Sequence, residues 1–192
     1  MYTYTLAFIH KNNQFLLVNR EKKPWKGCWN GLGGKIQTNE TPIEGIIREL
    51  FEETGLKIRE EYIKDCGILT WNTFDAHGQG LHLFLIHGNT LEKLDTPLST
   101  EEGILDWKHL DWIIDPNNYG VAHNIRFFLP TMLRENMRYH YHCIFENDTL
   151  IQVTKEVMNH VSWTPYRGDF TPHAKLYWTV TLSKKNLKSN KK

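Results

Sequence analysis

Three glutamates stand close together in the sequence, at Glu49, Glu52 and Glu53. On a helix, positions i, i+3 and i+4 lie on one face, so these three carboxylates share one side. Like charges at this distance repel one another unless a cation sits among them, and hard oxygen ligands select Mg²⁺ or Mn²⁺. The spacing therefore predicts a divalent-metal site, with a solvated acidic helix surface as the alternative.

Glycines and basic residues precede the three glutamates. Gly33 and Gly34 allow the backbone to approach a metal or phosphate closely and to leave a carbonyl free as a ligand, although a plain turn is the alternative. The basic side chains in front of the acidic stretch are Arg20, Lys22, Lys23, Lys26 and Lys35. Cations beside carboxylates suit a site that holds phosphate and metal together; a solvated charged surface is the alternative.

A strongly marked helix must carry the glutamates. Thr41-Pro42-Ile43-Glu44 supplies an N-cap, a proline in the first turn and a capping-box glutamate, and Gly55 suits the left-handed residue that ends a helix. The apolar residues at helical spacing between these ends are Ile43, Ile46, Ile47, Leu50 and Phe51. We expect this stripe to face the core and the carboxylates to lie opposite, with Arg48 paired to one of them.

The run Gly34-x5-Glu40-x7-Arg48-Glu49-Leu50-x-Glu52-Glu53-x-Gly55-Leu56 resembles the Nudix box at each defined position. A match of this length, with the correct helix signals, is specific. The resemblance implies an α/β/α sandwich with a mixed β-sheet, in which the box forms a loop-helix-loop that presents metal ligands to a pyrophosphate. It also implies metal-assisted attack of water on phosphorus, with Mg²⁺ or Mn²⁺ as cofactor.

The resemblance assigns roles to individual residues. Glu49, Glu52 and Glu53 become metal ligands together with the carbonyl of Gly33, while Arg48 and Glu40 support the loop-helix geometry. A further glutamate, in the segment from Thr100 to Gly103, resembles a metal-binding glutamate of MutT-like members. This residue, Glu102, belongs with Glu49, Glu52 and Glu53 among the predicted ligands, and the general base stays open among Glu52, Glu53 and Glu102.

The segment from Trp29 to Lys35 resembles the oxidised-purine nucleoside triphosphatases within this family. The resemblance makes Asn30 a reader of the purine edge, since an amide both donates and accepts hydrogen bonds. It places Arg20 near the substrate and Thr5 in the pocket wall, and Lys35 completes the predicted substrate contacts.

The similarity weakens towards the C-terminal side. Tyr119 falls where relatives place an aromatic residue that stacks on the base. The subgroup then has two aspartates that read the base, whereas this chain has Gly120-Val121-Ala122-His123. Apolar side chains cannot supply those polar contacts, which argues against the same selectivity for an oxidised base.

Several further elements follow from local patterns. Residues 2 to 10 and 14 to 19 predict a hairpin, and the segment from Lys23 to Gly34 predicts a loop running into a short strand. The other predicted strands are 66 to 74, 81 to 87, 104 to 108 and 139 to 145, and a second helix is predicted over about 124 to 136. Strands mixed with two helices favour an α/β sandwich.

The whole chain fits one Nudix domain over residues 1–158 and a C-terminal extension, 159–192, that is partly basic at its end. The extension has three open interpretations: packing on the domain, dimerisation or disorder. Twenty-three basic and 22 acidic residues give a formal charge of +1, which predicts neither nucleic-acid nor membrane binding. The three cysteines show no metal or disulfide spacing, and the N-terminus lacks a signal-peptide pattern, so we expect reduced thiols and a cytoplasmic protein.

Three functional hypotheses remain at this point. The leading one is a MutT-like enzyme that cleaves a nucleoside triphosphate to monophosphate and pyrophosphate, with oxidised purine nucleotides as candidate substrates for clearance from the pool. The second is hydrolysis of ADP-ribose or a dinucleoside polyphosphate, which a dimer built through residues 159–192 would favour. The third is a non-catalytic nucleotide sensor, which the retained carboxylates disfavour. Each takes a nucleotide as partner, with the chain as monomer or homodimer.

Overall fold

The structure is a computed structural model that describes residues 2–72, 80–88, 91–147, 149–158 and 178–181. Within these residues, ten strands form one sheet. The strands are β1 (Tyr4–Lys11), β2 (Gln14–Arg20), β3 (Trp29–Asn30), β4 (Ile63–Trp71), β5 (Gly80–His87), β6 (Leu98–Thr100), β7 (Gly103–His109), β8 (Tyr139–Glu146), β9 (Thr149–Val157) and β10 (Trp178–Thr181).

The sheet is mixed. Its order is β10-β9-β8-β4-β5-β1-β2-β7-β6, with β3 paired to β2. β1 runs parallel to β5 and β4 parallel to β8, whereas the other pairs are antiparallel. The two parallel pairs bring strands from distant parts of the chain into the centre of the sheet.

Helices cover both faces of the sheet. Helix α1 (Pro42–Thr54) packs through Ile46 and Leu50 in one apolar cluster, while α2 (Leu110–Ile114) and α3 (Ile125–Arg134) contribute to a second cluster with β8. Successive side chains of a strand point to opposite faces, which is why one sheet serves two cores. The predicted α/β/α sandwich with a mixed sheet is confirmed.

The ends of α1 form as predicted. The hydroxyl of Thr41 accepts a hydrogen bond from the Glu44 N–H at 3.2 Å, and the Glu44 carboxylate accepts one from the Thr41 N–H at 2.8 Å. At the other end Gly55 has φ +73° and donates its N–H to the Phe51 carbonyl at 2.8 Å. Both caps satisfy backbone groups that the helix itself leaves unpaired.

The apolar stripe of α1 is narrower than predicted. Ile46 and Leu50 are fully buried and Ile43 packs beside them. Phe51 was expected to face the core, but 49% of it is exposed. At about 100° per residue, position 51 points away from the face that carries positions 46 and 50. Phe51 therefore lies outside the buried stripe.

Most of the other predicted elements are found, with shifted ends. The predicted hairpin is β1 and β2, the strand at 66 to 74 is the earlier β4, and the second helix is α3. The end of the predicted strand at 66 to 74, residues 73 and 74, lies outside the described residues. Strand β9 and the short α2 were not predicted. Strand β9 buries only Leu150 and Val153, so its sequence shows no regular alternation.

Part of the predicted C-terminal extension joins the sheet. Strand β10 pairs antiparallel with β9, matching Trp178 to Lys155 and Thr181 to Gln152. Residues 159–177 and 182–192 lie outside the described part of the chain. The boundary at residue 158 stays a prediction.

Candidate active site

A cavity of about 690 Å³ opens beside α1 and between the strands that the two parallel pairs bring together. Carboxylates and glycines line one part of it, and aromatic and aliphatic side chains line another. Among its lining residues are Thr5, Arg20, Asn30, Gly33, Gly34, Lys35, Glu49, Glu52, Glu53 and Glu102, all predicted from the sequence. The fold therefore brings nearly all of the predicted site residues to one cavity.

The three glutamates of α1 differ in their surroundings. The Glu52 side chain is 54% exposed and that of Glu49 is 17% exposed. Glu53 is the most enclosed: its Oε2 is buried and has no hydrogen-bond partner among the described residues. Burial first, and then the charges of Glu49 and Glu102, raise the pKa of Glu53 to about 8, although the Gly33 N–H donates to it.

Arg48 holds the acidic face together. It donates to both oxygens of Glu40, at 2.7 and 3.0 Å, and to the Lys35 carbonyl at 3.0 Å. It also donates to Glu49 at 2.8 Å and to Glu52 at 3.1 Å. Arg48 was predicted to pair with one carboxylate, and in the structure it binds three. This network fixes the loop before α1 against the helix.

The donor set suits a divalent cation, because carboxylate oxygens are the ligands that Mg²⁺ and Mn²⁺ prefer and Glu53 carries a buried oxygen without a partner. In the described part of the chain, no three acidic, histidine or cysteine side chains already form a ready cage. Arg48 holds one oxygen of Glu49 and one of Glu52. The other oxygen of each carboxylate accepts no hydrogen bond from Arg48, so Glu49 and Glu52 can keep Arg48 and still coordinate a cation.

The two glycines before α1 run along β1 without room for a side chain. Thr5 donates its N–H to the Gly34 carbonyl at 2.9 Å and its hydroxyl to the same oxygen at 3.3 Å. Gly33 has φ +139°, and a Cβ there would lie 2.4 Å from the Thr5 carbonyl oxygen. A Cβ on Gly34 would lie 2.3 Å from the Glu49 carboxylate. Glycine is therefore required for the backbone to pass beside the carboxylates.

Glu102 reaches the same cavity from a different part of the chain, the turn between β6 and β7. Its carboxylate pairs with the Lys22 ammonium at 2.6 Å. Gly103 follows with φ +139°, where a Cβ would lie 1.8 Å from the Asn19 carbonyl oxygen, so the turn packs tightly on the end of β2. The structure brings Glu102 to the carboxylate end, and its role as a metal ligand stays a prediction.

The predicted substrate contacts divide into two groups. Asn30, Arg20, Lys35 and the buried Thr5 all line the cavity. Tyr119 does not line it and is 69% exposed, and its predicted stacking role stays a prediction.

Apart from Lys23, which belongs to the basic residues noted in the sequence, the remaining wall residues were missed by sequence reasoning. They are Tyr4, Leu6, Lys23, Pro24, Trp25, Leu69, Trp71, Leu81, Thr100, Glu101, Asn124 and Phe145. Trp25 and Phe145 lie with ring centroids 6.2 Å apart although they are distant in sequence. The glycine-rich loop containing Trp25 was recognisable as a loop. Nothing in the sequence indicates that β4, β8 and the start of α3 contact it.

Known proteins resemble this chain in both sequence and fold. The NUDIX domain family matches residues 3–118. The oxidized purine nucleoside triphosphate hydrolase of Mus musculus is 32% identical over 114 residues, which cover 57% of this chain and 67% of that protein. The ADP-ribose pyrophosphatase of Methanocaldococcus jannaschii is 46% identical over 50 residues, or 26% of this chain and 30% of that protein. A MutT protein from Bacillus halodurans has a TM-score of 0.66 at 22% identity, covering 81% of this chain and 97% of its own.

The match over residues 3–118 spans more than half of the 192 residues, and the chain therefore belongs to the Nudix family of hydrolases, which act on phosphoanhydride bonds. The chain spans about two thirds of the mouse relative's length and less than a third of the archaeal relative's. At 22% identity the MutT structure supports the fold alone. No helix in the described ranges is both long enough and apolar enough to cross a membrane.

Proposed function

We propose that this chain is a metal-dependent pyrophosphohydrolase that cleaves a purine nucleoside triphosphate to the monophosphate and pyrophosphate, oxidised purines included. One observation carries the proposal: a single cavity has carboxylates and cations at one part and aromatic rings with an amide at another. A nucleotide has the same division between its charged phosphates and its flat base. The mouse relative, whose name specifies oxidised purine nucleoside triphosphates, is consistent with it.

The carboxylate end fits Mg²⁺ or Mn²⁺. Glu49, Glu52, Glu53 and Glu102 would hold the cation, with the carbonyl of Gly33. When bound, a divalent cation neutralises phosphate charge and makes water a better nucleophile. Arg20 and Lys35 line the same cavity and would bind phosphate oxygens. The candidates for general base are Glu52, Glu53 and Glu102, all of which line the cavity.

ADP-ribose is the second candidate substrate. The observation in its favour is the 46% identity to the archaeal ADP-ribose pyrophosphatase, higher than that to the mouse hydrolase but over a shorter stretch. We propose a cytoplasmic location and a nucleotide as the partner, without a nucleic-acid polymer or membrane. The three cysteines are free thiols, which supports a reducing compartment.

The test measures kcat/KM with Mg²⁺ for ordinary and oxidised purine nucleoside triphosphates, ADP-ribose and dinucleoside polyphosphates. We expect the highest values for purine triphosphates, with monophosphate and pyrophosphate as products. Glu53→Gln should lose at least about a hundredfold in kcat. Glu60→Gln, an exposed glutamate in the turn at Glu60–Tyr62, is the matched control and should retain full activity. A preference for ADP-ribose would make ADP-ribose the substrate in place of a purine triphosphate. Full activity in Glu53→Gln would refute the proposed metal site.

A further inference from the structure

Two histidines of β8 lie on the side of the sheet away from the active-site cavity. Along β8 the side chains of Tyr139, Tyr141 and Cys143 are buried in the core that α3 covers. Successive side chains of a strand point to opposite faces, so His140 and His142 lie on the other face, where both are partly buried. Neither histidine lines the cavity. Their imidazole rings therefore have no part in the site described above.

The neighbouring strand β4 brings a hydroxyl between the two rings. The parallel register pairs Thr70 with His142 and Ile68 with His140. The Thr70 Oγ1 lies 2.8 Å from Nε2 of His140 and 2.8 Å from Nδ1 of His142. The ring centroids of the two histidines are 6.3 Å apart, with 69° between the ring planes. Two ring nitrogens from one strand thus point at a single position.

A hydroxyl uses this arrangement incompletely. Thr70 has one hydroxyl proton, so it donates to at most one of the two nitrogens. With both rings neutral, the other nitrogen must carry the ring proton to form its bond with Thr70. A metal cation at the same position accepts the lone pairs of both nitrogens at once. The convergence of the two rings therefore suits a cation better than it suits the hydroxyl.

The ligand type selects the metal. Imidazole nitrogen suits Zn²⁺, Ni²⁺ and Cu²⁺, with Zn–N distances of about 2.0–2.1 Å, whereas Mg²⁺ prefers oxygen. No third histidine, cysteine or acidic side chain completes a ready cage in the described part of the chain, so water fills the remaining positions. Glu156 is exposed and pairs with His140 across β8 and β9, which places negative charge beside the two rings. Charge and ligand type both favour a zinc-class cation.

We propose that His140 and His142 form a binding site for a transition-metal ion of the zinc class, on the face of β8 opposite the active-site cavity. The cation lies where Nε2 of His140 and Nδ1 of His142 converge and replaces their hydrogen bonds to Thr70. Leu69 and Trp71, on either side of Thr70, line the cavity, so the metal sits behind the cavity wall. The site is separate from the carboxylates of α1, and the inference does not rest on the proposed function.

The test is isothermal titration calorimetry of the full-length protein with ZnCl₂, in excess Mg²⁺ to occupy the carboxylates of the cavity. Two variants replace imidazole by an amide of matching reach: Gln places its amide near the position of Nε2 in His140→Gln, and Asn near that of Nδ1 in His142→Asn. Each amide can keep a hydrogen bond to Thr70 but has no imidazole lone pair. We expect a single Zn²⁺ per wild-type chain, about tenfold or more weaker binding in each variant, and none in the double variant.

Two controls separate this site from the other metal-binding groups. His87→Gln removes an exposed histidine from the pair with His10, whose ring centroids are 6.4 Å apart, and should keep the wild-type Zn²⁺ affinity. Glu52→Gln alters the carboxylates of α1 and should also keep it. Unchanged affinity in the double variant would refute the proposal. Loss of Zn²⁺ binding in Glu52→Gln alone would assign the Zn²⁺ to the cavity and would refute it equally.

A measurement on the wild type removes any dependence on the folding of the variants. The ¹⁵N chemical shifts of the histidine rings are followed during a titration with ZnCl₂. We expect Nε2 of His140 and Nδ1 of His142 to change together, at one equivalent of Zn²⁺ and in the presence of Mg²⁺, while the ring of His87 stays constant. Changes confined to other histidines, or none at all, would overturn the site.

Discussion

Arg48 donates two parallel hydrogen bonds to Glu40, at 2.7 and 3.0 Å, and the same guanidinium reaches Glu49 and Glu52. Glu40 lies in the loop before α1, whereas Glu49 and Glu52 lie on the helix. One planar side chain with several donors therefore sets the position of these helix carboxylates relative to the loop. A lysine has the charge but cannot form this fork.

Arg48→Lys should lower kcat/KM by about tenfold or more, because supports of metal ligands typically contribute at this level. The fold should persist, since α1 keeps both caps and its buried face. The matched control is Lys93→Ala, which breaks a pair between Lys93 and Asp95 whose side chains are each 85% exposed. That exposed pair should contribute little to stability and nothing to activity. Wild-type kinetics in Arg48→Lys would contradict the positioning role.

Glu40 should make stability depend on pH in the acid range. The Arg48 guanidinium and the Gln37 N–H lower its pKa to about 2. A carboxyl whose pKa is depressed on folding stabilises the protein above its unfolded pKa and loses that effect as the pH falls towards the folded value. The urea midpoint of the wild type should therefore exceed that of Glu40→Gln at pH 6, and the two should converge near pH 2. A difference that stays constant with pH would show that Glu40 acts in another way.

Local signals explain why α1 and its carboxylates were predictable. The capping box from Thr41 to Glu44, the glycine at 55 and the spacing of the glutamates lie within one short segment. Such features depend on residues that are close in sequence, so they can be predicted from the sequence directly. Strands β1, β2 and β8 were predictable for the same reason, although their ends shift.

The part of the cavity lined by aromatic side chains depends on contacts between distant segments. Trp71 comes from β4, Phe145 from β8 and Asn124 from the start of α3, and they meet because β4 runs parallel to β8. A parallel pair has no local signature, since its connection is long.

Glu53→Gln should stabilise the protein after removal of divalent metal with EDTA, while abolishing activity. The buried Glu53 carboxylate faces the charges of Glu49 and Glu102, and its pKa is raised to about 8. Because folding raises this pKa, the ionised Glu53 carboxylate destabilises the folded protein above the unfolded pKa. This destabilisation grows until the pH passes about 8. Urea unfolding at pH 8 should show a gain of about 1–3 kcal/mol, and a smaller one at pH 5. A loss of stability at pH 8 would contradict this account.

Alanine substitutions at Gly33 and Gly34 should separate an effect on stability from an effect on activity. At Gly33, a Cβ would meet the Thr5 backbone at 2.4 Å in a left-handed conformation, so Gly33→Ala should lose both stability and activity. At Gly34, the obstacle is the Glu49 side chain, which can turn away. Gly34→Ala should therefore lose activity with little change in the urea midpoint. Equal stability losses in the two variants would contradict the distinction.

Gly45 provides the matched glycine control within α1. A Cβ there would meet nothing closer than 3.4 Å, the distance to Glu40 Oε2. Alanine is the better helix former, so Gly45→Ala should stabilise the protein by about 0.5–1 kcal/mol and leave kcat/KM unchanged. Thermal and urea unfolding measure the first effect, and the nucleotide assay the second.

Substitutions in the aromatic wall should weaken binding of the base without altering the phosphate chemistry. Phe145 and Trp25 line the cavity with rings 6.2 Å apart, and stacking of a base on an aromatic side chain contributes about 1–3 kcal/mol. Phe145→Leu should therefore raise KM several-fold or more with a smaller change in kcat. Tyr119→Leu is the matched control, since Tyr119 is 69% exposed and outside the cavity, and its KM should stay within about twofold of the wild type. The reverse result, with Tyr119→Leu impaired and Phe145→Leu normal, would support the stacking role predicted for Tyr119.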